Sequence, residues 1–227
     1  MKPAVCFALD VKHSRQMDKK RLLMILNDLK KTINKRFHKD LLVPFAIRNG
    51  DELVGVIGNF SSAYPLIKYI YSQSCFHQCP FYSGIGIGEL ETDTTDVHTI
   101  NGSAVLCAFA AREHLKEKKE KTKIWSENEN TTSFYILAEA LPFEPLNTLL
   151  GWILETKRNW TDKQKQVIHL IEQFPGWTYE KIGRHLGYKS PISTVSYLLK
   201  RAEYQKVKAT EASFTELLIL YQTLLKK

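Results

Sequence analysis

The sequence predicts an α+β chain in two domains. Residues 1–149 should form a ferredoxin-like, antiparallel-sheet domain, and residues 150–227 an all-helical, helix-turn-helix domain. Three observations predict this. Short apolar runs alternate with longer amphipathic stretches through the first part, in the order β-α-β-β-α-β-α-β, whose first six members match the ferredoxin-like pattern. From Trp160 onward the periodicity is helical throughout. The formal charge of +8 is unevenly placed. Residues 1–149 hold 19 Lys and Arg against 17 Asp and Glu, whereas residues 150–227 hold 13 against 7.

An apolar share of 44% with 25% charged residues is that of a soluble globular protein. No apolar run approaches a membrane span, and the first residues lack a signal-peptide pattern, so the expected location is cytoplasmic, with no membrane partner. The four cysteines are then expected as free thiols. Cys75, His77 and Cys79 offer three zinc-type ligands within five residues, but a closed structural site needs four.

Residues 4–10 read as a buried strand ending in the carboxylate of Asp10. A helix follows over residues 18–37, with Leu22, Ile25, Leu26, Leu29 and Ile33 on one face. Residues 41–47 and 53–57 read as a hairpin around Gly50-Asp51, which leaves Asp51 and Glu52 facing opposite sides of the sheet. Ser61-Ser62 caps a helix over residues 63–74, with Pro65 in its first turn. Residues 81–88, where Gly alternates with Ile, read as a strand with one bare face that suits close approach of a helix, another chain or a ligand. Gly102-Ser103 opens a helix to residue 119. Residues 122–125 read as a last short strand, and residues 134–141 and 146–157 as helices.

The basic part begins with Thr161 capping a helix over residues 162–174, which Pro175-Gly176 breaks. Thr178 caps a helix over residues 179–186, and Gly187 ends it. Ser190-Pro191 starts a helix over residues 192–204. The short Gly-containing turn between these two helices is the helix-turn-helix signal. Lys189, Ser190, Ser193, Thr194, Tyr197, Lys200 and Arg201 supply the cations and hydroxyls that phosphate and base-edge contact require. A final apolar helix from residue 213 or 215 to 225 is a candidate packing or dimer helix, so a homodimer is expected.

Four stretches carry a resemblance: Ala8-Leu9-Asp10, Asn49-Gly50-Asp51-Glu52-Leu53, Gly84-Ile85-Gly86-Ile87-Gly88-Glu89, and Asn101-Gly102-Ser103 to Arg112. In this order they resemble the SatD-like family of bacterial proteins over nearly the whole chain. The first domain also resembles, more distantly, the palm-type fold of class III nucleotidyl cyclases and diguanylate cyclases. The resemblance implies metal ligands at Asp10 and Asp51, with Glu52 beside them, and a Mg²⁺ ion there. It implies nucleotide contacts at Asn49, Gly50, Gly86 and Arg112. The departures weigh against catalysis: Ile47 stands where the cyclases carry a base-contacting Lys, and Leu106 and Cys107 occupy the region of their ribose-orienting Asn. The expected function is therefore a transcriptional regulator that binds double-stranded DNA through a degenerate cyclase-like sensor's helical appendage, with a nucleotide as ligand. An active metal-dependent cyclase or transferase with the same appendage, and a structural protein with neither activity, are the other readings.

Overall fold

The computed structural model describes residues 1–117, 124–125 and 129–227. It is α+β: one mixed, open five-stranded sheet and, among the described residues, eight α-helices. The chain divides into two compact units, Met1–Asn147 with Phe214–Lys227, and Thr148–Ser213. The span predicted as one C-terminal domain therefore contributes its last fourteen residues to the first unit.

In the first unit the strands are β1 (Lys2–Val11), β2 (Leu41–Arg48), β3 (Glu52–Ile57), β4 (Phe81–Leu90) and β5 (Ser133–Ala138). They lie in the order β2-β3-β1-β4-β5. The first four are antiparallel to their neighbours, and β5 runs parallel to β4. The helices are α1 (Lys19–Arg36), α2 (Ala63–His77) and α3 (Ser103–Lys116). Asp18 caps α1 by accepting from the Arg21 amide. Ser62 does not cap α2 through its side chain, which donates instead to Asp40 at 2.8 Å.

The predicted helix over 134–141 is in fact β5. Its run Phe-Tyr-Ile-Leu favours a pleated, buried surface, and the five consecutive apolar residues Phe134 to Ala138 are too few for a stable helix. The predicted strand over 122–125 falls partly outside the described residues; Ile124 and Trp125 lie in a turn. The outer edge of β5 is closed by Asn147, whose side chain accepts from Ile136 N at 2.8 Å and donates to Ile136 O at 2.9 Å.

Side-chain alternation sorts the sheet into two faces. Ala4, Cys6 and Ala8 of β1 and Val54 and Val56 of β3 share a core cluster with Ala104, Val105 and Ala108 of α3. The glycines of β4 make this seat possible. A Cβ on Gly84 would stand 2.0 Å from Ala108 O, and one on Gly86 1.9 Å from Ala104 O. Helix backbone thus rests directly on strand backbone, and no other residue fits. Val5, Phe7 and Leu9 point to the opposite face, where they are fully buried.

The second unit holds α5 (Asp162–Gln173), α6 (Tyr179–His185) and α7 (Pro191–Arg201). Parts of α4 (Glu144–Arg158) and α8 (Tyr204–Leu225) also belong to it. Thr161 and Gln164 form a capping box at α5, and Thr178 caps α6. Val167, Ile168, Ile182, Val195 and Leu199 form its core. The predicted helix 192–204 ends at Arg201, because Glu203 adopts a left-handed φ of 51° that breaks the chain direction; α8 then starts at Tyr204, well before the expected residue 213 or 215. No helix among the described residues is long and apolar enough to cross a membrane.

Candidate functional site

The β2–β3 turn places the acidic residues of the first unit. Asn49 and Gly50 both have positive φ, 53° and 89°, as a tight hairpin turn matched to strand twist requires. Asp51 closes the turn and Glu52 opens β3. In register, Glu52 stands opposite Asp10 on β1 and opposite Arg48 on β2. Directly opposed residues of antiparallel strands share a face, so Asp10, Arg48 and Glu52 all lie on the α3 side.

The facing helix meets them with cations. Arg112 Nη1 lies 3.0 Å from Glu52 Oε1, while its Nε and Nη2 donate to Glu113 at 3.1 and 2.7 Å. One turn later, Lys116 donates to Asp10 at 3.1 Å. Asp51 is held apart by Ser14, whose hydroxyl donates to it at 2.7 Å. Burial raises the Asp10 carboxyl above its ordinary value, against the pull of Lys116 and Arg112, and the charge of Asp51 adds to the rise. Tyr82, beside Asp10 in register, donates to Glu129 at 3.0 Å; burial and that carboxylate push its hydroxyl up to about 12. Beneath lies Lys12, which is 1% exposed, donates to Ser133 at 2.9 Å and sits 4.6 Å from the Tyr82 ring.

Two clefts open on either side of Glu52. One, of about 460 Å³, is lined by Asp10, Ser14, Asp51, Glu52, Tyr82 and Lys116. The other, of about 350 Å³, is lined by Arg48, Asn49, Glu52, Phe109 and Arg112, with Val97, Ile100 and Leu106 on its apolar side. The predicted metal ligands Asp10, Asp51 and Glu52 thus share one cleft. Each is already engaged, by Lys116, Ser14 and Arg112 in turn, and among the described residues no group of three His, Cys, Asp or Glu is arranged to hold a metal. The donor set as arranged does not fit a divalent ion. Of the predicted nucleotide contacts, Asn49 and Arg112 line the second cleft and Gly50 forms the adjoining turn, but Gly86 lies beneath α3, in neither cleft. Cys75 is an exposed thiol on α2 and Cys79 a buried one, raised to about 11 by burial.

Sequence reasoning missed Lys116, Ser14 and Arg48. The signal for Lys116 was present: it follows Arg112 by four residues on the face that carries Ala104 and Ala108.

In the second unit, α6 and α7 meet backbone to backbone, since a Cβ on Gly183 would stand 2.5 Å from Pro191 Cα. The outward face of α7 displays Ile192, Ser193, Ser196, Tyr197, Lys200 and Arg201, all exposed, with Lys189 and Ser190 exposed in the preceding turn. Thr194 is half-buried on the inner side. No family model matches the chain, and no curated protein or solved structure matches it.

Proposed function

We propose that this chain is a DNA-binding regulator, with α6 and α7 as a helix-turn-helix and the first unit as a sensor for a nucleotide-type ligand. The observation that carries the reading is the outward face of α7. It presents hydroxyls, a tyrosine and two cations together, and Lys189, Lys200 and Arg201 have no carboxylate partner among the described residues. Cations of this kind neutralise phosphates, and hydroxyls reach base edges.

The sheet order supports the ferredoxin-like, cyclase-related reading of the first unit. Strands β2-β3-β1-β4 have antiparallel neighbours, α1 and α2 lie in the two crossovers, and β5 is an addition at the edge. The SatD-like resemblance is of a piece with this reading. The ion pairs of Asp10 and Glu52 favour a sensor over a metal-dependent enzyme, because a Mg²⁺ ion would have to displace Lys116 and Arg112. Ile219, Leu220 and Leu224 remain exposed on α8 and are the face for the expected homodimer.

Gel-shift titration of the full chain against a mixed-sequence duplex over a salt series tests the function. Binding should strengthen as salt falls, with each phosphate contact adding about 0.9 to the slope of log affinity against log salt. Replacing Lys189, Lys200 and Arg201 together by Ala should flatten that slope by up to roughly three contacts' worth. Absence of binding at about 50 mM salt, where electrostatic association is strong, would leave α7 as a protein-interaction element.

A further inference from the structure

The cleft between the β2–β3 turn and α3 contains a cation without a counterpart. Arg48 stands directly across from Glu52 in the sheet, the position in which a cross-strand ion pair is expected. Yet the carboxylate is taken by Arg112, at 3.0 Å, and Asn49 Nδ2 reaches its other oxygen at 3.4 Å. Arg112 is itself fixed, 8% exposed, between Glu52 and Glu113. Among the described residues the Arg48 guanidinium makes no ion pair; it lies over the Phe109 ring, 5.0 Å from the centroid, with Arg112 at 4.9 Å from the same ring. Arg112 thus acts as a positioning residue that keeps Glu52 away from Arg48.

An arginine that is half-buried, oriented by a ring and free of acceptors offers a planar fork of N–H donors. Phosphate oxygens match that fork in pairs, without a metal. The opposite wall is apolar, and Leu106 stands 65% exposed at its edge although it faces a polar opening. A cleft of about 350 Å³ is at the small end of ligand sites. It suits a ligand with one anionic end and one flat apolar end.

We propose that this cleft binds a nucleoside monophosphate without a metal, the phosphate on Arg48 and the base against Leu106 and Ile100. The proposal rests on the sensor reading of the first unit and places its ligand on the arginine side of Glu52, away from the carboxylate cleft.

Calorimetric titration of the full chain with adenosine and guanosine 5′-monophosphates, in EDTA and again in MgCl₂, tests it. One of the two should bind in EDTA, with an affinity that MgCl₂ changes by less than about twofold. Arg48→Ala should weaken binding by about tenfold or more, the loss expected for hydrogen bonds to a charged group. Arg48→Lys, which keeps the charge and loses the fork, should fall between, and serves if the alanine variant does not fold. Asp51→Asn should bind as the wild type does. Binding that needs Mg²⁺, is lost in Asp51→Asn and survives Arg48→Ala overturns the proposal and leaves the sensor reading standing, with the ligand on the carboxylates. Absence of binding by mono-, di- and triphosphates in both buffers overturns the two together.

Discussion

The two units carry their charges in opposite ways. In the first, Asp10, Lys12, Glu52 and Arg112 are all buried, and each meets a cation, a carboxylate, a hydroxyl or a ring. In the second, Lys157, Arg184, Lys206 and Lys208 have carboxylate partners, whereas the cations of α7 and of the turn before it stand in solvent with none among the described residues. Buried charge must be answered within the fold, because desolvation is severe and an unmatched ion is destabilising. Exposed charge is nearly neutral for stability and free to meet a partner. Asp10, Glu52 and Arg112 should therefore show in unfolding experiments, and the cations of α7 only in binding.

The largest expected effect comes from the seat of α3. Gly86→Val would place a branched side chain where even a Cβ stands 1.9 Å from Ala104 O. Neither strand nor helix backbone can give way, so the loss should reach roughly 3 kcal/mol or more, at or beyond the usual range for overpacking. Urea unfolding of the variant reads this directly. An unchanged midpoint would mean that α3 does not rest on β4.

Next comes the buried ion pair. Arg112→Ala leaves Glu52, 9% exposed, without its cation. Breaking such a pair from one side costs about 3–5 kcal/mol in general, and Asn49 offsets only a little here. Lys200→Ala, in the exposed set, should shift stability by less than about 0.5 kcal/mol. Equal losses in the two variants, measured by the same denaturant titration, would erase the contrast between the units.

A smaller effect is expected from pH. The Asp10 carboxyl is raised by burial above its ordinary value of 3.8, so the folded state holds its proton more tightly than the unfolded chain does. Its contribution to stability is therefore present at low pH and is lost as pH rises from 3.8 through the raised value. Asp10→Asn removes this titration. The stability of the wild type relative to Asp10→Asn should fall across that window and be level above it. A difference that rises with pH would show that Lys116 outweighs burial at this site.

Much of this was legible in the sequence because alternation and capping act locally. The apolar run before Asp10, the hairpin around Gly50, and the Thr161 and Thr178 caps all follow from residues within a few positions of one another; the turn itself lies one residue before the expected Gly50-Asp51. β5 was not legible as a strand: five apolar residues fit either element, and what decides is the parallel partner β4, some fifty residues earlier. The pairing of the acidic residues was only half legible. Adjacent sequence positions 51 and 52 point to opposite sides, and only the register with β1 and β2 shows that Glu52, and not Asp51, stands with Asp10 and Arg48. Arg112 could be singled out by motif, but its role as the cation for Glu52 depends on how closely α3 sits on the bare face of β4. Gly86 is the same lesson from the other side: the bare strand face could admit a helix, another chain or a ligand, and it is the helix that fills it.

The smallest effect on stability, and the finest test of the second unit, lies within α7 itself. Thr194 is half-buried on its inner side, whereas Ser193 and Ser196 are exposed beside Tyr197 and Lys200. If the helix reads bases, the hydroxyls that matter are those on the outer face. Ser196→Ala should alter the preference of the full chain among duplexes, by about 1 kcal/mol between its best and next sites, the low end of what a lost base contact produces. The salt slope should stay as it is, because no phosphate contact is removed. Thr194→Ser should leave both preference and slope unchanged. The unfolding midpoint of Ser196→Ala should match the wild type, since exposed substitutions of this kind stay within about 0.5 kcal/mol. Selection of bound duplexes from a random pool, followed by titration of the winners, measures the preference. A pool that returns the same winners for wild type and Ser196→Ala, while Lys200→Ala still lowers the slope, would make α7 a phosphate-gripping helix that does not read sequence through Ser196.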